Sequence, residues 1–121
     1  MARNMMAMGA SWHDQQRKAH MSDWVSYRRG DLTHPVLATA SRSMFEVMDA
    51  SGVVERWESR DFVISAGDLP FDPPERGDLI IETVGTKVLT YQVLAPKSAE
   101  VWKWDPFRTA MTVHTKLVGE V

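Results

Sequence analysis

Four histidines, sixteen aspartates and glutamates and no cysteine bound the chemistry open to this 121-residue chain. His13 and His20 lie seven apart and could share one helix face, but no HExxH pattern or third ligand accompanies them. His34 precedes Pro35 in a turn, and His114 alternates onto the polar side of a strand beside Lys116. All four therefore read as surface histidines. The closest carboxylates, Glu55 with Glu58 and Asp61 and then Asp68 with Asp72, lack the apolar pocket that would raise one pKa above its neighbour's. The seven glycines stand singly at turns, whereas a phosphate cradle needs several in one loop, and no GxSxG elbow is present. Without cysteine there is no disulfide, thiolate metal site or thiol nucleophile. These residue types argue against an enzyme and against a bound cofactor or metal.

Contact chemistry is better represented. In Val101-Trp102-Lys103-Trp104-Asp105-Pro106-Phe107-Arg108 two indoles two residues apart point to one side of an extended segment. Phe107 and Arg108 follow an Asp-Pro turn. The rings could cap the open end of a barrel, anchor a neighbouring subunit beside an arginine, or stack on single-stranded nucleic acid. Near the N-terminus Met1, Met5, Met8, Trp12 and Ala19 fall on one helical stripe opposite Asp14, Gln15, Arg17 and Lys18. The candidate interface residues are accordingly Met5, Met8, Trp12, Phe71, Trp102, Trp104, Phe107 and Arg108. Arg-Gly-Asp occurs twice, at Arg29-Gly30-Asp31 and Arg76-Gly77-Asp78, each where one segment ends and another begins, so turn chemistry accounts for both.

The elements that must position these residues are mostly strands. Residues 1 to 20 predict an N-terminal α-helix or arm; Ser11 to Asp14 resembles a capping box, so the regular helix can start at Trp12. From Asp23 the period becomes two. Trp24 to Arg29 and Pro35 to Ala40 are strands about a Gly30-Asp31 turn, and a hairpin starting at Phe45 turns through Asp49 to Gly52. Past the turn Val53 and Trp57 lie on one face and Phe62 and Ile64 on the other. A straight strand would bury both sets only if covered on both sides, so a bulge near Ser59-Arg60 is expected. Residues 68 to 76, with three of the six prolines, and residues 96 to 110 are expected as long loops. Leu79 to Val84 and Lys87 to Leu94 form a hairpin about Gly85-Thr86, and Met111 to Val118 is the last strand. The whole predicts one mainly β domain over 1–121, with a small antiparallel barrel or sandwich at 23–118.

A chain of this length can bury roughly two-thirds of its unfolded surface without staples. Fourteen Lys and Arg against sixteen Asp and Glu leave a net charge of −2, short of the basic excess of a dedicated nucleic-acid binder. Nothing approaches the roughly 20 apolar residues of a membrane span, and the first eighteen residues are too broken by polar groups for a signal peptide. The expectation is a soluble protein made inside a cell and not bound to membrane.

Tyr27-Arg28-Arg29-Gly30, Arg56 to Ile64, Arg76-Gly77-Asp78-Leu79-Ile80, Trp102-Lys103-Trp104-Asp105-Pro106 and Val113-His114-Thr115-Lys116 together resemble the small head-tail joining proteins of tailed bacteriophages, the head-closure or stopper class. That resemblance implies a β-barrel subunit of a homo-oligomeric ring in the virion neck, made in the host cytoplasm. The ring would meet a portal or adaptor protein above and tail proteins below, with packaged double-stranded DNA in its channel. The long N-terminal helix departs from the most compact members and leaves stopper, adaptor and tail-completion roles open. The other reading is a small OB- or SH3-like barrel that binds nucleic acid or a protein through Trp102 to Arg108. If residues 1 to 10 are an assembly arm, their deletion leaves the melting curve unchanged and weakens oligomerisation; a truncated protein melting far below the intact one would show that the segment belongs to the core.

Overall fold

The computed structural model describes Trp12 and residues 23–96 and 99–121. The helix expected over residues 1 to 20 lies outside the described residues, Trp12 apart, and no α-helical element is found among them. Seven strands form one antiparallel sheet: β1 (Asp23–Arg29), β2 (Leu32–Met48), β3 (Val54–Ser65), β4 (Leu79–Val84), β5 (Lys87–Val93), β6 (Trp102–Trp104) and β7 (Ala110–Glu120). Their order is β3-β2-β1-β4-β5-β7-β6, and β3 also pairs with β7. Six strands are thus linked in a circuit that returns on itself, and the open choice between barrel and sandwich reduces to this single sheet.

Local chemistry sets the turns. Gly30 and Gly85 take φ of 59° and 61° in the two-residue links of β1–β2 and β4–β5, where a Cβ would be strained. Asp49 builds the β2–β3 turn, accepting from the backbone N–H of Ser51 at 2.9 Å and of Val53 at 3.0 Å. No Gly or Pro breaks the chain between Ala40 and Phe45, so the two strands expected there are one, the 17-residue β2.

The expected bulge at Ser59-Arg60 is absent. β2–β3 register runs unshifted from Ala38↔Ile64 to Met48↔Val54, and β3–β7 register from Arg60↔Thr115 to Ser65↔Ala110. β3 instead takes the other route to burying two sets of side chains and is covered on both faces. Phe62 and Ile64 are buried on one side, Ser59, Asp61 and Ser65 on the other. The register shift falls at Thr90/Tyr91, between β5 and β7. The core gathers Val25, Tyr27, Val36, Phe62, Ile64, Ile80, Tyr91, Val93, Met111 and Val113, with the Phe62 and Tyr91 rings edge to face at 5.3 Å.

The segment expected as a loop from 96 to 110 contains a strand. β5 leaves β7 after Val93↔Thr115, exposing the edge at Met111 to Val113, and β6 pairs there. An unpaired buried backbone edge is costly, and three residues suffice to cover this one.

The two Arg-Gly-Asp triplets meet through their side chains. Arg29 of the first donates from Nε at 2.9 Å and Nη2 at 2.8 Å to the Asp78 carboxylate of the second. Asp78 also accepts from the Tyr27 hydroxyl at 2.6 Å and the Glu75 N–H at 2.9 Å. Burial opposes its charge, but the bonds from Arg29 and Tyr27 outweigh this and hold the carboxyl below the usual range. Burial and the bond to Asp78 push the Tyr27 hydroxyl well above its ordinary value. Arg76 ties down the other connection, donating to the carbonyls of Ala95 at 2.7 Å and Ala99 at 2.8 Å. Because a hydrogen bond to a charged group contributes about 2 kcal/mol, Tyr27→Phe should lower Tm by roughly 5–10 °C. Thermal unfolding followed by circular dichroism measures this, and an unchanged midpoint would show that the hydroxyl adds nothing to the clamp.

Candidate interface

Of the residues singled out in the sequence, Met5 and Met8 lie outside the described residues. Trp12 is 57 % exposed. Phe71 is turned inward: its ring lies against Tyr27 at 5.6 Å and His34 at 5.5 Å, with the Arg29 guanidinium 4.4 Å above it. Trp102 and Trp104 pair with Val113 and Met111, so both rings share the core side and pack against the core cluster. Lys103, between them, is exposed. A stacking platform would need those indoles facing out.

What remains outward is the tip that follows. Asp105 accepts from Thr109 N–H and Thr109 Oγ1, each at 2.7 Å, while Arg108 N–H donates to the Asp105 carbonyl at 3.1 Å. This closes a tight turn in which Arg108 adopts a left-handed φ of 53°, an uncommon choice for a non-glycine residue. Phe107 is 41 % exposed at its apex.

The second outward feature was not legible as an interface in the sequence. β1 follows β2 only to Ala38, and β7 follows β3 only from Arg60. Beyond these points, among the described residues, β2 and β3 pair only with each other, making a two-stranded ribbon capped by the Asp49 turn. One face of it, Phe45, Val47 and Trp57, is half-buried, with Phe45 against His114 at 5.1 Å and Lys116 Nζ 3.9 Å from the Trp57 ring. The other face exposes Met44, Met48 and Val54. Alternation in the sequence marked the first face; it could not show that the second is exposed.

Two polar groupings bring together residue types that can do chemistry. His114, expected on the surface, is buried opposite Asp61 in the β3–β7 register, and its Nδ1 lies 2.8 Å from Asp61 Oδ1. The Ser59 and Ser43 hydroxyls both donate to the same carboxylate, Ser59 at 2.6 Å. Ser, His and Asp thus meet, but each serine directs its proton to Asp61 and not to the imidazole, so neither is set up as a nucleophile. The only sequence hint was that Ser59 and Asp61 share a parity. In an open cleft of about 370 Å³ beside the ribbon, Arg42 is 3.5 Å from Glu58 and Arg60 is 3.1 Å from Glu82. With Lys116 on Trp57, each cation of the cleft already has a partner, which leaves no anion cradle.

Burial acts to raise the Asp61 pKa, but the bonds from His114, Ser43 and Ser59 more than reverse it, and the carboxyl sits below its usual value. Its stabilising contribution is therefore full above the unfolded pKa of about 3.9 and is lost as pH falls through the folded value. Asp61→Asn should cost about 2–3 kcal/mol at neutral pH, because the amide sets a donor against the serine hydroxyls. The difference from the parent should shrink toward about pH 3, where the carboxyl of the unfolded parent takes up a proton that the folded state resists. Urea unfolding at both pH values tests this; an equal gap at both would rule out the charged carboxylate as the source.

No curated protein matches the sequence. The family model described as "Phage head-tail joining protein" matches residues 3–121, which includes both outward features and the sheet that carries them. A mainly β chain fits a structural part of the phage neck, and with the match running over nearly its whole length, the chain belongs to the phage head-tail joining protein family.

Proposed function

We propose that this chain is a single-domain, ring-forming subunit of the head-to-tail connector, which closes the DNA-filled head and offers the tail its docking surface. The observation that carries the reading is a sheet whose strand pairing returns on itself while the ribbon and the Asp105–Thr109 turn project from it. A closed circuit leaves few edges for uncontrolled strand addition, and the projections supply a head-to-tail contact whose rotation can close a ring. The contacts are made by Met5, Met8, Trp12, Phe107 and Arg108, while Trp102 and Trp104 fix the strand that leads into the turn to the core and Phe71 packs under Arg29.

In this reading the partners are further copies of the chain, a portal or adaptor protein above and tail proteins below, with no cofactor and no membrane. The protein is made in the host cytoplasm and ends in the virion neck. Packaged double-stranded DNA passes through the channel without sequence-specific contact. A net charge of −2 suits that role, because each free Lys or Arg on a channel wall would retain a phosphate and slow passage. Size-exclusion chromatography with light scattering, alone and with portal complexes, tests the proposal. The expected result is a larger species that co-elutes with the portal. A stable monomer that never joins a portal, and whose tryptophan fluorescence is quenched by short single-stranded DNA, would replace the connector with a nucleic-acid-binding module.

A further inference from the structure

We infer that Arg108 is a recognition residue, whose guanidinium, presented beside Phe107 on the Asp105–Thr109 turn, docks on a carboxylate-bearing surface of the protein that this chain joins. The inference rests on the connector reading and names the chemistry of one of its contacts. Its starting point is the backbone. Arg108 N–H donates to the Asp105 carbonyl at 3.1 Å and Asp105 N–H to the Ala110 carbonyl at 3.0 Å, so a turn centred on Pro106 and Phe107 is followed by one left-handed residue. Hairpin loops of this kind favour Gly or Asn at that position, because a Cβ crowds the backbone there.

Elsewhere the chain follows that preference. Gly30, Gly52, Gly77 and Gly85 take positive φ, and among the described residues Arg108, at 53°, is the one non-glycine that does. Nothing in the fold employs its side chain. Arg108 is exposed, and among the described residues it makes no side-chain hydrogen bond, ion pair or ring contact. The acidic residue of the turn, Asp105, is committed to Thr109 N–H and Oγ1 at 2.7 Å each. The strained conformation therefore costs stability that no internal contact of the side chain offsets, and the rest of the turn enforces it. Asp105 closes the loop, Ala66 N–H holds the Thr109 carbonyl at 2.9 Å, and Trp102 and Trp104 pack the preceding strand on the core.

The side chain sets the chemistry of the partner. A free guanidinium presents paired N–H donors that match both oxygens of a carboxylate. Phe107, 41 % exposed, lies next to it in the chain and supplies apolar area around such an ion pair, and aromatic residues with arginine are the common anchors of protein interfaces. Phosphate would also fit a guanidinium. Holding a nucleic-acid backbone takes several cations together, however, and this turn carries one, beside the Asp105 carboxylate, in a chain of net charge −2.

Phage heads that lack this protein, mixed with free tails and the purified full chain, report the contact as the yield of joined particles counted by electron microscopy. Arg108→Gly and Arg108→Asn, both suited to the left-handed position, should raise Tm by roughly 2–5 °C and cut the yield about tenfold. Arg108→Lys keeps the strain and the charge, so it should melt with the parent and recover only part of the yield, because a point charge does not match both carboxylate oxygens. Arg108→Glu should fall below Arg108→Gly, since it sets like charges against each other. Parent-level yield from Arg108→Gly and Arg108→Asn, or a lower Tm in both, would overturn the inference and leave the connector reading standing. Failure of the parent chain itself to join heads to tails would overturn both. Weaker binding of a short labelled DNA duplex by Arg108→Gly than by the parent would replace the carboxylate with phosphate and overturn the inference as well.

Discussion

The structure depends on β3 being buried on both sides. From Ser59 to Ser65 this strand carries Phe62 and Ile64 toward the core and Ser59 and Asp61 the other way, and both sets are nearly inaccessible to water. Burying a carboxylate opposite a hydrophobic pair is tolerable only if it is charged and fully hydrogen-bonded. Asp61 meets that condition with His114 from β7, Ser43 from β2 and Ser59 from its own strand. The polar cluster therefore links the three strands at the point where the circuit closes, and it fixes register there, because a slip of one residue would exchange Asp61 for Phe62.

The opposite side of the molecule has its own lock. Asp78 gathers Tyr27, Arg29 and the Glu75 N–H, and Arg29 extends over Phe71 and donates to the Pro73 carbonyl at 3.0 Å. The proline-rich connection is thereby tied to β1, and Arg76 ties the connection before β6 to the same corner. Two segments without regular structure are held by charge-assisted bonds to backbone carbonyls, which are directional and strong when partly buried. Such bracing holds both irregular connections firmly against the sheet.

The candidate interface was legible unevenly. Phe107 and Arg108 were found because an Asp-Pro pair announces a turn and a turn places its residues outside. Trp102 and Trp104 were recognised as sharing one side, yet which side depends on Met111 and Val113, the partners across the ladder. Met44, Met48 and Val54 were unremarkable residues of an alternating hairpin. Their exposure depends on how the rest of the chain packs around β2 and β3, which beyond Ala38 and Arg60 pair only with each other among the described residues.

The sequence by itself determined the mainly β class, the principal hairpin turns and the absence of thiol or P-loop chemistry, since period-two patterning, Gly and Asp at turns and residue inventory are local properties. Only the tertiary structure decided that β3 keeps one register without a bulge, that His114 is buried on Asp61, that the two Arg-Gly-Asp triplets join through Arg29 and Asp78, and that β2 and β3 run on as a two-stranded ribbon among the described residues. Each of these turns on pairing between residues far apart in the chain, where the favourable term is burial and hydrogen bonding across a ladder whose partners no local pattern names.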